Sequence, residues 1–181
     1  QTSAALARVG QDLIEHLNRS TLLEQLCRTT VEVLECDFSH TWLWDTNADA
    51  ILPVAGYGDP PEIWEALRQH RIPREAAVQG DLAALLASGS PGQLVVDGDT
   101  GAGPLPNGLR PVIYGRTVLC CVALRRGNEI IGAHIAGYRG QHRPFTGPQQ
   151  RVLNGIGHLA SMALEYTLTV CARYGELAAF G

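Results

Sequence analysis

Apolar positions recur every three or four residues near both ends of the chain and at two-residue or continuous spacing between them. Leu6, Val9, Leu13 and Leu17 predict a helix over Ala4–Leu17. Thr21-Leu22-Leu23-Glu24 has the spacing of a capping box and predicts the start of a second helix. Its stripe is Leu23, Leu26, Cys27, Thr30, Val31 and Leu34, and it should end near Cys36-Asp37. Phe38–Trp44 then alternates as a strand. Phe38, His40, Trp42 and Trp44 fall on one face, and Ser39, Thr41 and Leu43 on the other. The small face suits close packing under helices, whereas the bulky face calls for a looser layer with room for a cavity. After the polar turn Asp45–Asp49, Ile51–Tyr57 is a second strand beside the first.

The most apolar stretch is Thr117–Tyr138. Its two runs, Val118–Leu124 and Ile130–Ala136, flank the polar link Arg125-Arg126-Gly127-Asn128-Glu129, the pattern of a β-hairpin. Both runs are apolar on both faces, which places the hairpin mid-sheet with a layer packed on each side. Upstream, Asp59-Pro60-Pro61 opens a short helix, Glu62–Gln69, that Ile72-Pro73 breaks. Gly80–Ala87 is another short helix, stopped by Ser88-Gly89-Ser90-Pro91-Gly92, and Gln93–Val96 is a short strand. Gly98–Gly108 is a Gly/Pro loop, and Arg110–Tyr114 a short strand or turn. Thr146-Gly147-Pro148-Gln149 is a further capping box, opening a helix of about 26 residues, well beyond the mean length, that reaches about Tyr174. Its stripe is Leu153, Ile156, Ala160, Ala163, Leu164, Thr167, Val170 and Tyr174. That stripe fits a partner helix beyond the domain, and equally a helix packed on its own sheet.

Composition narrows the class. The 181 residues are 45% hydrophobic and 18% charged, a globular rather than a disordered composition, and enough for one domain with a core or a domain plus helical extensions. The net charge of −4 offers no general attraction to nucleic acid or anionic lipid. All 14 basic residues are Arg, as GC-rich bacterial coding would produce. Cys27, Cys36, Cys120, Cys121 and Cys171 are odd in number, lack a C-x-x-C and lie mostly in apolar runs, so they read as reduced, buried thiols of a cytoplasmic protein. Cys120 and Cys121 adjoin on a strand and point to opposite faces. No apolar run approaches the roughly 20 residues that span a bilayer. With no initial Met and no signal-peptide pattern, the chain reads as one domain cut from a longer protein, with residues 1–20 and about 165–181 as helical extensions toward its neighbours.

The order helix, helix, strand, strand, two short helices, strand, loop, hairpin, long helix resembles a GAF domain, the small-molecule-sensing module of bacterial signalling proteins. The resemblance rests on Leu34-Glu35-Cys36-Asp37 before the first strand, Ala55-Gly56 closing the second and Val96-Asp97 after the Ser-Gly turn. It rests most firmly on Leu119–Gly132, with Phe145-Thr146 opening the helix that holds Ala163-Leu164-Glu165. It implies an α+β fold: a central antiparallel sheet of about five or six strands, terminal helices on one face, and short helices and loops over a pocket on the other. It also implies an unidentified small-molecule ligand, a homodimer paired through the terminal helices and a covalently linked output domain, with a sensor histidine kinase as parent and no catalysis by this domain.

The expected ligand-binding residues are His40, Trp42, Trp44, Arg110, Tyr114, Cys121 and Ile135. His40 with Trp42 and Trp44 forms an aromatic wall with one titratable group for a flat ligand, and the same residues fit a core cluster around a hydrogen-bonded histidine. Arg110 and Tyr114 offer donors to an anion, or are surface Arg and packed Tyr. His40, His134 or His142 is the choice for a haem ligand, though their spacing demands no metal. No Cys-His pair is present for a bilin, and Gly101-Ala102-Gly103 lacks the Lys-Ser/Thr of a phosphate cradle. The residues identify no cofactor. A ligand-free dimerising spacer and a cysteine- or haem-based redox sensor remain the alternatives. Replacing Cys120 and Cys121 with serine separates the readings: unchanged signal output supports a binding module, and loss of output with intact folding supports thiol chemistry.

Overall fold

The computed structural model describes residues 19–77, 84, 87, 88, 91–97, 116–140 and 143–179. The described strands are β1 (Phe38–Asp45), β2 (Ala50–Tyr57), β3 (Ile72–Pro73), β4 (Gly92–Asp97), β5 (Arg116–Arg126) and β6 (Glu129–Arg139). The described helices are α1 (Arg19–Leu34), α2 (Pro61–Arg68), α3 (Arg74–Ala77) and α4 (Gly147–Ala179). The strands form one antiparallel sheet in the order β3-β2-β1-β6-β5-β4. The hairpin closes through Gly127-Asn128, with Arg126 opposite Glu129. Gly127 has φ of 60°, the left-handed conformation that a first central residue needs when a two-residue turn must follow the strand twist.

α1 and α4 cover one face of the sheet. Leu23 and Cys27 of α1 and Ala160 and Leu164 of α4 pack with Leu43, Ala55 and Leu124. Toward the other end of α1, Leu34 and Leu153 enclose Val118, Cys120, Val122 and Ala136. Opposite Thr41 and Trp42 the register slips by one residue in β2, so Val54 and Ala55 both pack in this helix-side core. The second capping box forms as its spacing requires: Thr146 N–H donates to Gln149 Oε1 at 2.9 Å, and Gln149 N–H to Thr146 Oγ1 at 3.3 Å. The Gln149 amide also donates to the Leu34 carbonyl and to the Tyr138 hydroxyl, each at 2.8 Å. One side chain thus ties the end of α1 to β6 and to the start of α4.

Several elements depart from the sequence reading. Thr21-Leu22-Leu23-Glu24 does not start a helix, because α1 already runs at Arg19. Ile72-Pro73 is a short edge strand, where the missing proline N–H costs no ladder bond, and α3 follows it directly. α4 reaches Ala179, and its expected stripe is buried on the domain's own sheet as far as Leu164. The expected helix Ala4–Leu17, the loop Gly98–Gly108 and the segment Arg110–Tyr114 lie outside the described residues, as does most of Gly80–Ala87.

His134 is the polar centre of the helix-side core and is fully buried. Thr30 Oγ1 donates to the Leu26 carbonyl at 2.7 Å, so toward His134 Nε2 at 2.8 Å it accepts. Ser39 Oγ is committed to the Ile135 carbonyl and also accepts from Nε2, at 3.4 Å. Nε2 therefore carries the proton, and Nδ1 accepts from the Thr41 hydroxyl at 2.9 Å. The Cys27 thiol completes the chain by donating to Thr41 Oγ1 at 3.4 Å. Burial pushes the imidazole pKa down to about 4, with His40 adding to the effect. An unfolded chain takes up this proton below about pH 6.5, the ordinary histidine value. Stability is thus complete above that pH and falls by roughly 3 kcal/mol as pH drops from about 6.5 to about 4. Urea unfolding at a series of pH values should show this slope. His134→Gln should flatten it by about 1.4 kcal/mol per pH unit; an unchanged slope would rule out His134 as its source.

Candidate functional site

The other face of the sheet is built in rows across β1, β6 and β5. Phe38 lies beside Gly137 and Leu119, His40 beside Ile135 and Cys121, and Trp42 beside Ala133 and Ala123. Trp64 and Leu67 of α2 pack over this face with Ile72. Two glycines permit that packing. A Cβ on Gly56 would overlap the Trp64 ring, and one on Gly137 the Phe38 ring, so both rings lie directly on the backbone. The result is a stack. Trp64 lies 5.5 Å from His40 between centroids and 24° from parallel. His40 lies 4.9 Å from Phe38, and the Arg139 guanidinium lies 4.9 Å beyond the Phe38 centroid.

Asp59 closes the stack into a ring. One carboxylate oxygen accepts from His40 Nε2, and the other pairs with Arg139 Nη2. The Asp59 side chain is 2% exposed, so its partners come from the protein rather than from water. Arg139 is the most exposed member, at 28%. Burial, and secondarily the guanidinium, hold His40 well below the ordinary imidazole pKa. His40 is therefore neutral and donates its Nε2 proton to the Asp59 carboxyl group, which also faces Arg139. Asp59 sits on the short link into α2, next to Gly58, whose φ of 93° and close approach to the Asp37 carbonyl exclude a side chain. Arg139 is fixed at its backbone by N–H donation to Asp37 Oδ2 at 2.7 Å.

Of the expected ligand-binding residues, His40, Trp42, Cys121 and Ile135 share this face. Trp42 is 4% exposed, and its indole N–H has no partner among the described residues. Trp44 follows on the same face by alternation but lies outside the buried cluster, at the outer end of β1 with the Arg74 guanidinium 5.6 Å over its ring. Arg110 and Tyr114 lie outside the described residues. Sequence reasoning missed Asp59, Trp64 and Arg139. Asp59 read only as the opening of a proline-led helix. Arg139 was legible in principle, because it continues the alternation Ala133, Ile135, Gly137 on β6.

The apolar surface holds the unpartnered indole N–H of Trp42, while His40 and Arg139 are turned to Asp59. Burial raises the Cys121 thiol pKa, and pushes those of Cys36 to about 11 and Cys120 to about 12, so these thiols stay protonated and weakly nucleophilic at neutral pH. Among the described residues no three His, Cys, Asp or Glu side chains are grouped to hold a metal ion. Both ring nitrogens of His134 are engaged on the opposite face.

No model of a protein family matches the chain, and no curated protein does. Solved structures do. The GAF domain/HD domain protein from Geobacter sulfurreducens is 14% identical with a TM-score of 0.69, over 86% of this chain and 98% of that one. The second GAF domain of DevS from Mycobacterium smegmatis is 19% identical with a TM-score of 0.59, over 87% and 99%. The phycoerythrobilin-bound GAF domain from a cyanobacterial phytochrome is 11% identical with a TM-score of 0.62, over 92% and 96%. At such identities the likeness speaks for architecture, and with the strand order above it establishes that this chain has the fold of a GAF domain.

Proposed function

We propose that the chain is the sensory GAF domain of a larger bacterial signalling protein, with a sensor histidine kinase as its parent. In this reading it is a binding module, not an enzyme. It holds a small molecule against the face of β1, β6 and β5 and relays occupancy through terminal helices paired with those of a second copy. A similar structure that holds phycoerythrobilin supports the reading of this fold as a holder of small molecules. The domain works in the cytoplasm in this reading; no helix among the described residues is long and apolar enough to cross a membrane.

One observation carries the proposal. α4 has two apolar stripes. Leu153, Ile156, Ala160 and Leu164 are buried on the sheet. Val152, Leu159, Met162 and Tyr166 are exposed, the last three at 59%, 66% and 59%. Their spacings of seven, three and four residues are those of the seam of a helix pair. A row of large apolar side chains at that period on one helix fits a second copy of the same helix. Because the buried stripe touches the strands that carry the site, a ligand favouring one sheet geometry biases the helix pairing by its difference in affinity between the two states.

The ligand-free spacer has one observation in its favour: Trp42 and Trp64 already pack within the sheet-face core. The cysteine or haem sensor is weakened by the protonated thiols and by the occupied nitrogens of His134. Native mass spectrometry with an absorption spectrum separates these readings. The sensory reading expects a dimer with additional small-molecule mass; a dimer without it favours the spacer, and a monomer refutes helix pairing. Leu159→Glu with Met162→Glu should raise the dimer dissociation constant about 100-fold or more, since each buried large apolar side chain contributes about 1.5–3 kcal/mol. Unchanged association would place the interface elsewhere.

A further inference from the structure

We infer that His40 and Arg139 form a carboxylate-binding site that Asp59 fills as an internal ligand, and that a carboxylate-bearing small molecule enters by exchanging with Asp59 and freeing α2. This rests on the reading of the sheet face as the ligand face and names the chemistry of its ligand.

Three features carry the inference. The two donors come from neighbouring strands and face the two oxygens of one carboxylate, His40 Nε2 through a hydrogen bond and Arg139 Nη2 as an ion pair, so the site already holds that group. Both donors are held by the sheet: His40 is stacked between Trp64 and Phe38, and Arg139 lies over Phe38 with its backbone tied to Asp37. The carboxylate belongs instead to a link. Asp59 lies between Gly58, in a left-handed conformation, and Pro60-Pro61, which open α2. The donors are thus preorganised and the acceptor is carried by the movable partner. Asp59 is also what anchors the start of α2, and α2 brings Trp64 and Leu67 over the sheet face. An external carboxylate satisfies His40 and Arg139 equally well but does not tether α2. The apolar surface beside the site, with the unpartnered indole N–H of Trp42, suits a flat body bearing a second acceptor.

The test uses formate as probe on the whole domain. In Asp59→Ala, formate should raise the melting temperature saturably by about 3 °C or more over chloride at equal ionic strength. The rise should vanish when Arg139→Ala is added. Amide exchange in 61–68 should be faster than in wild type by about tenfold or more and stay fast when formate is bound, with exchange in 23–34 returning to the wild-type rate. Equal responses to formate and chloride, or slowing of 61–68 by formate, would overturn the inference. If Asp59→Ala does not fold, Asp59→Asn keeps the volume and loses the charge; its 61–68 exchange should rise about threefold or more, and no rise would overturn the latch. The experiment requires neither the native ligand nor a second copy, so its failure leaves the sensory reading standing, and failure of dimerisation leaves this site standing.

Discussion

A buried imidazole holds the two layers of this protein together. His134 stands on β6, accepts from Thr41 on β1 and donates to Thr30 on α1. None of these groups has water as an alternative, so each needs the others in register. A one-residue slip of β6 against β1 would turn His134 to the opposite face and remove its hydrogen bonds with both threonines. The pairing Thr41 opposite His134 and the seating of α1 are therefore one constraint, and the apolar contacts of Leu23, Cys27 and Leu164 are arranged around it.

The other face repeats this logic with charge. Asp59 is buried, and a guanidinium and an imidazole reach it from β6 and β1. Removing one partner from such a cluster costs far more than the intact cluster adds, which makes the geometry exacting. The difference between the faces lies in where the partners are attached. Around His134 every partner is on a helix or strand of the core, whereas Asp59 reaches its partners from the link before a short helix.

The two faces share strands. On β1, Ser39 and Thr41 point to the helices while Phe38, His40 and Trp42 point to the site. On β6, His134 lies between Ala133 and Ile135, and on β5 Cys120 and Cys121 divide in the same way. A displacement of either strand by events on the site face moves the groups that seat α1 and α4. This gives a sensory reading its physical route: the same backbone is a wall of the site and the floor beneath the helices.

Local pattern determined much of this protein. Alternation along Phe38–Trp44 assigned the faces of β1, the Gly-Asn link located the hairpin, and Thr146 with Gln149 marked the start of α4, because each signal acts over a few residues through backbone geometry or one hydrogen bond. The order of those elements was enough for the GAF architecture. What the tertiary structure alone decided depends on separations that no local period records. Asp59 meets Arg139 across most of the domain, and Trp64 lies flat on Gly56 only because α2 folds back over β2. The second stripe of α4 was written in the sequence, but which stripe faces the sheet is chosen by the fit of Gly157 against Val122, where a Cβ would collide. Periodicity gives the elements and their faces; the charge partners and the free surface follow from which faces the closed sheet leaves to meet.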